Sequence, residues 1–322
     1  MNESFFLGSN ALFLNAPGVK PTANISIGLI PMCLSSKDTA PFGPGLPPSG
    51  DCEQNIAQTE GMKVHVMGTP QKYYEEILAS LGVTADIPFF FDTSYLTADR
   101  FLQLCIPSVE YPRSDAPSTI RFTGGLPKGN PDPYTNAPSW WESDIVGNTT
   151  KKIVAVSQGT IATNYADLII PTMQGLASSP DILVVVALGA KGATLPEGTI
   201  IPENARVADY IPFDELLPHS EVFVTNGGYG GFQHAIAHGT PLVIGGISED
   251  KLEVSARAEW AGVAINLKTA TPTKEAVAEA VETVIRDGKY KKRALELESE
   301  MKSYDPMGII IGTIEELGAG GK

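Results

Sequence analysis

Cysteine is scarce in this chain of 322 residues: Cys33, Cys52 and Cys105 are the only three, and all lie in the first third. An odd number at these spacings fits neither a zinc site nor a disulfide framework, which leaves free thiols in a reducing compartment. Basic residues are also few. Against 37 Asp and Glu there are 23 Lys and Arg, giving a net charge of −14, and no stretch gathers enough cations to track a phosphate backbone. Nucleic acid is therefore not an expected partner. No apolar run reaches the length of a membrane span, so no transmembrane segment is expected. The opening Met1-Asn2-Glu3-Ser4 lacks a basic leader region, and Ser and Asn interrupt the apolar patch Phe5–Leu14. Without a secretory signal the sequons at Asn2, Asn24 and Asn148 are chance matches, and a cytoplasmic location is the default expectation.

What is present is a soluble globular composition, 43% apolar and 19% charged, in a chain long enough for two domains. From Lys151 onward short apolar runs alternate with helical patterns, the signature of an α/β domain with a parallel sheet and helices on both faces. Strands are expected at Ile153–Val156, Ile182–Leu188, Arg206–Ile211, Val222–Thr225, Leu242–Ile244 and Val263–Asn266. Helices are expected at Tyr165–Leu176, Phe213–His219, Gly230–His238, Leu252–Ala261, Thr273–Asp287, Lys291–Lys302 and Met307–Leu317, with Pro272 at the first position of its helix. The first part is less regular, with strand candidates at Phe5–Leu14 and Ile25–Met32 and a helix near Gln71–Leu81. A Pro- and Gly-rich loop runs from Pro41 to Pro48, and Gly124–Thr150, with Trp140-Trp141, reads as a linker. The expected division is 1–125, a linker at 126–150, and 151–322.

The segment Val222-Phe223-Val224-Thr225-Asn226-Gly227-Gly228-Tyr229-Gly230-Gly231-Phe232-Gln233-His234 carries the chemistry. A strand runs into a glycine turn that opens a helix, where backbone N–H groups and the helix dipole suit an anion. No Lys or Arg occurs between Glu221 and Gly246, so a pyrophosphate bound here would be neutralised chiefly by peptide N–H groups. A bare glycine turn of this kind more often just permits a tight connection. The dehydrogenase fingerprint fails for want of its third glycine, and no Walker A loop is present. His234 and His238 stand four apart, but Ala235 occupies the place of a metalloprotease glutamate, and no metal site is expected. No Gly-x-Ser-x-Gly elbow is present.

The surrounding text resembles the donor-binding signature of the UDP-glycosyltransferases. Asp209-Tyr210-Ile211-Pro212-Phe213 is similar to the family's aromatic-x-Pro-x element. Pro218–Thr225 matches the run into the turn, and His238-Gly239-Thr240-Pro241-Leu242-Val243 the following strand entry. Val156-Ser157-Gln158-Gly159-Thr160 looks like the loop after the domain's first strand. Together these span roughly 100 residues in the expected order. The resemblance implies a GT-B-like fold of two Rossmann-like domains, with a UDP-sugar as co-substrate and no other cofactor. It implies that Tyr210, beside Pro212 and Phe213, stacks on the base, and that Ser157, Gly159 and Thr160 touch the phosphates. Gly228, Gly230 and Gly231, flanking Tyr229, would present amides to the diphosphate. Asp250, between Glu249 and Lys251, would accept hydrogen bonds from the sugar. Asn226 replaces the family's usual diphosphate-binding His. His234 replaces a Glu that contacts the ribose, with Gln233 beside it.

The family's general base is a His near the start of the N-terminal domain. Pro31–Ser36, Thr39–Gly45 and Glu110-Tyr111-Pro112-Arg113 look like family text found well past that His, which implies a partial N-terminal domain and leaves the catalytic residue unknown. His65, the only His before His219, is more often a structural residue. Missing strands would expose edges and apolar faces that a partner chain or self-association would cover. The expected function is transfer of a hexose to a hydroxyl of a small lipophilic acceptor. The alternatives are an inactive nucleotide-sugar binder or one half of a two-chain enzyme, and, more remotely, a sugar-nucleotide epimerase.

Overall fold

A computed structural model describes residues 1–125 and 137–319. They form two units, one of residues 1–125 with 303–319, the other of residues 137–302.

The second unit is built on strands β5 (Lys152–Ser157), β6 (Ile182–Ala187), β7 (Ala205–Ala208), β8 (Ser220–Thr225), β9 (Leu242–Ile244) and β10 (Ala264–Asn266). Their order is β10-β9-β8-β5-β6-β7, and every pairing is parallel. All six residues of β6 are buried, as befits a strand covered on both faces, and this is why its text is a continuous Val-rich run. Val154, Val156, Val184, Val186, Val222 and Val224 face a common core closed by Leu168, Met173, Val277 and Val281. The chain winds outward in both directions from β5, so the strand order reverses between β5 and β8. In open α/β sheets the crevice outside the strand C-termini at that reversal is where ligands bind. Helix Lys274–Arg286 is capped by Thr273, whose Oγ1 accepts the Ala276 N–H at 3.2 Å. Pro272 thus lies before the cap and not at the first helical position.

The first unit holds a four-stranded parallel sheet, β1 (Asn2–Glu3), β2 (Ile25–Gly28), β3 (Arg100–Gln103) and β4 (Ile120–Phe122), paired in sequence order. The expected strand Phe5–Leu14 is not one. A tight turn at Leu7–Ser9 leads into a helical turn at Asn10–Phe13, and Ala11 and Leu14 pack on Tyr74, Leu78 and Val83. Ala11 and Leu14, three apart, are the buried pair, with Leu7 packed against the same cluster, whereas Phe6 is 61% exposed. The strand at Ile25 ends at Gly28, short of the Pro31 that could not donate to a ladder. A helix at Cys52–Gly61, capped by Asp51 accepting the Gln54 N–H at 3.0 Å, was not foreseen, and the next runs from Gly68 to Ser80. Asn24 is 2% exposed, which removes its sequon from glycan reach. None of the three cysteines forms a disulfide.

Both ends of the second unit differ from the expected division. Residues 126–136 of the expected linker, and 320–322, lie outside the described residues. Trp141 and Ile145, in the rest of the linker, are buried, and Asp144 pairs with Arg206 of β7 at 2.5 Å. The final helix, Pro306–Ala319, belongs to the first unit. Its Glu316 carboxylate meets Arg100 of β3 at 2.5 Å and Arg121 of β4 at 2.8 Å. Those two guanidinium groups, Arg121 foremost, hold the Glu316 carboxyl below its usual range. Among the described residues no helix is long and apolar enough to cross a membrane.

Candidate functional site

Ser157 is in register with Thr225, and Thr225 with Ile244, so the loops leaving β5, β8 and β9 start side by side. Asn226 ties the first two together. Its Nδ2 donates to the Gln158 carbonyl at 2.5 Å, and the residue is buried. Asn226 is thus a strap across the strand-order reversal. Gln158 in turn shapes the loop after β5: its Oε1 accepts the Leu168 and Ile169 N–H groups at 3.2 and 3.0 Å, and its Nε2 donates to the Asn164 carbonyl at 2.9 Å. Ser157 Oγ accepts the Gly159 N–H at 3.3 Å; Thr160 is exposed.

Two glycines make this closeness possible. Gly227 has φ +85°, a left-handed conformation that side chains disfavour, and a Cβ there would lie 2.9 Å from Ile244 Cγ2 and 3.1 Å from Ser255 Oγ. At Gly246 a Cβ would come within 1.9 Å of the Asn226 carbonyl oxygen. The loop after β9 therefore presses backbone to backbone on the strap.

The helix Tyr229–Ala237 begins at this junction, with Gly228 as its cap residue. Its first ladder bond runs from the Phe232 N–H to the Gly228 carbonyl at 3.0 Å, so the N–H groups of Gly230 and Gly231 precede the ladder, as at any helix start. Gly230 is exposed, and a Cβ on it would meet nothing within 4 Å. Gly231 differs, since a Cβ there would touch Phe223 at 3.4 Å and Phe213 at 3.7 Å. Tyr229 is buried and stacks on Phe232 with ring centroids 6.2 Å apart. Phe213 packs edge-on against Phe223 at 5.1 Å and His234 at 5.7 Å. The side chains of Tyr229 and Phe213 serve packing. Tyr210 is half-buried, with the Lys191 ammonium 5.8 Å from its ring centre, and Pro212 leads into the helix Phe213–Leu216.

Lys251, already a donor-site candidate from the sequence, brings a cation to a turn whose own text from Glu221 to Gly246 has none. Its stem runs beside Gly246 and Gly227, whose added Cβ atoms would lie 3.1 Å from Lys251 Cδ and 3.7 Å from its Cβ. The residue is buried, its ammonium paired with the Glu249 carboxylate and 3.4 Å from Ser248 Oγ. Glu249 adopts φ +57°. Burial pushes the Asp250 carboxyl above its usual range, with the Glu249 charge adding to the rise and Lys251 opposing it.

Gln233 is 4% exposed, and neither polar atom of its side-chain amide has a hydrogen-bond partner among the described residues. A buried orphan of this kind costs about 1–3 kcal/mol, a cost native proteins accept at functional positions.

One acidic residue went unnoticed in the sequence. Asp214 Oδ1 lies 3.0 Å from His234 Nδ1 and 2.9 Å from His238 Nε2, and the three ligand atoms fall within 4.8 Å of one another. Burial raises the Asp214 carboxyl, but the His238 and His234 contacts outweigh it and hold the group below its usual range. The contribution to stability is then full above 3.8 and is lost as pH falls through the lower folded-state value. The gap in urea midpoint between the parent chain and Asp214→Asn is expected to narrow on acidification through that range. A gap that stays constant with pH would contradict the assignment.

Residues 67–309 match the family model for "UDP-glucoronosyl and UDP-glucosyl transferase". The chain belongs to the UDP-glycosyltransferase family. Within it the chain is 44% identical to UDP-glycosyltransferase 2 of Phaeomoniella chlamydospora, over 99% of this chain and 71% of that protein. It is 40% identical to UDP-glucosyltransferase A1 of Starmerella bombicola, over 98% and 67% respectively. This family member therefore spans 67% and 71% of the length of these two relatives. Among solved structures it is similar to the glycotransferase of kitacinnamycin, with TM-score 0.73 and 21% identity over 98% of this chain and 74% of that one. It is also similar to the spinosyn rhamnosyltransferase SpnG complexed with thymidine diphosphate, with TM-score 0.67 and 19% identity over 97% and 71%. The fold is GT-B-like, and partial relative to these full-length relatives.

Proposed function

We propose that this chain binds a UDP-sugar at the loops after β5, β8 and β9 and transfers its hexose, with inversion, to a hydroxyl of a small lipophilic acceptor in the cytoplasm. The observation that carries the reading is the Asn226 strap at the strand-order reversal. It fixes an exposed helix start beside the Gln158–Gly159 turn, with the Lys251 stem alongside. Peptide N–H groups at a helix start take negative charge without being consumed, which suits a diphosphate that must first be held and then leave. The solved SpnG complex, with its thymidine diphosphate, shows that a neighbour of this fold takes a nucleoside diphosphate. The names of two relatives, UDP-glucosyltransferase A1 and UDP-glucosyltransferase 1, support UDP-glucose as the donor proposed for this chain.

A second reading has its own observation. His65, the only histidine before His219, is exposed, and among the described residues no acid is hydrogen-bonded to it to orient it as a base is commonly oriented. A donor-binding chain without turnover, or one half of a two-chain enzyme, would look like this. The purified chain incubated with UDP-glucose and a lipophilic alcohol decides between them. Glucoside formation supports transfer, whereas stabilisation by UDP with no product supports the binder.

A further inference from the structure

The Asp214, His234 and His238 cluster has a chemistry of its own. Asp214 sits on the short helix Phe213–Leu216, while the two histidines stand four apart at the end of the helix Tyr229–Ala237, His238 being its C-terminal cap residue. Residues four apart on a helix share a face, so both imidazoles reach the same carboxylate oxygen. Zinc holds imidazole and carboxylate ligands at about 2.0–2.2 Å, which places neighbouring ligand atoms of a tetrahedral site roughly 3.3 Å apart. The two carboxylate-to-imidazole separations, 3.0 and 2.9 Å, are already close to that value. Only the two rings have to approach, from a span that does not exceed 4.8 Å.

The geometry points to a three-ligand site for a divalent transition-metal ion of the zinc class, formed by Asp214 Oδ1, His234 Nδ1 and His238 Nε2. Two imidazoles select such an ion over magnesium or calcium, which prefer oxygen ligands. The His238 side chain is 5% exposed and held in place, whereas that of His234 is 37% exposed, giving the ion a path in and leaving a fourth position for water. The Phe213 ring, edge-on to His234 at 5.7 Å, limits rotation of that imidazole. The site requires no nucleotide, although it shares His234 with the candidate donor residues.

The test uses the full chain stripped with chelator and titrated with cobalt(II), then zinc(II). One cobalt ion per chain is expected to give visible ligand-field bands that zinc abolishes, and zinc is expected to raise the melting temperature. His238→Ala and Asp214→Ala should each weaken the ion at least tenfold, while His65→Ala should not. His234→Ala guards against misfolding, since this more exposed position should lose the bands with its melting temperature in chelator unchanged. No bands in the parent chain, or bands that persist in the His234→Ala/His238→Ala double variant, would overturn the proposal.

Discussion

Gly230→Asp is expected to abolish binding of uridine diphosphate while leaving the melting temperature close to that of the parent chain. The position is exposed, and a Cβ added there meets nothing within 4 Å, so the new side chain fits without strain. An acid in the first turn of a helix also interacts favourably with the helix dipole, by about 0.3–1 kcal/mol, which offsets any intrinsic cost to folding. The same carboxylate is harmful to the ligand for two reasons. It takes hydrogen bonds from the N–H groups that the diphosphate needs, and it places like charge a few ångströms from the phosphates. At an effective dielectric constant near 20, two unit charges 4–5 Å apart repel by about 3–4 kcal/mol, a loss of two to three orders of magnitude in affinity. Gly230→Ala, which adds bulk without charge, should bind nearly as the parent does. Retained affinity in Gly230→Asp would show that the nucleotide lies elsewhere.

Gly246→Ala should instead cost the fold and the site together. Its Cβ would stand 1.9 Å from the Asn226 carbonyl oxygen and 2.9 Å from the carbonyl carbon, backbone atoms with no rotamer through which to retreat. Overpacking commonly costs 1–3 kcal/mol, and a clash with main chain belongs at or above the top of that range, so a loss of about 3 kcal/mol in urea denaturation is expected. The displaced Asn226 would let go of the Gln158 carbonyl, and nucleotide affinity would fall with it. Gly228→Ala is the contrast, because the nearest atom to its Cβ, Asn226 Oδ1, is 3.9 Å away. Equal stability of the two variants would refute the packing described for the strap.

These contrasts show where sequence reading stops. The strands of the second unit were legible because a strand buried on both faces must be written as a continuous apolar run, and Leu242–Ile244 has the extent expected. The first unit was harder. Phe5–Leu14 is a short apolar run, for which periodicity cannot separate strand from helix, and the burial of Ala11 and Leu14 decides the matter only in three dimensions. The glycine turn was legible as a motif, but its partners were not. Asp214 lies 20 and 24 residues before His234 and His238, with no spacing rule to link them. Lys251 approaches the turn only because Gly227 and Gly246 carry no side chains. The final helix joined the first unit through the Glu316 pairs with Arg100 and Arg121, a tie across some 200 residues that no local pattern encodes.

The central claim is that peptide N–H groups at the start of the helix Tyr229–Ala237 hold the two phosphates of a nucleotide. Calorimetric titration of the parent chain with uridine diphosphate, set beside uridine, tests it most directly. The account predicts single-site binding of the diphosphate at least about a hundredfold tighter than the nucleoside, a difference of roughly 2.7 kcal/mol. Equal affinities for the two, or no heat from the diphosphate with a folded chain, would contradict it.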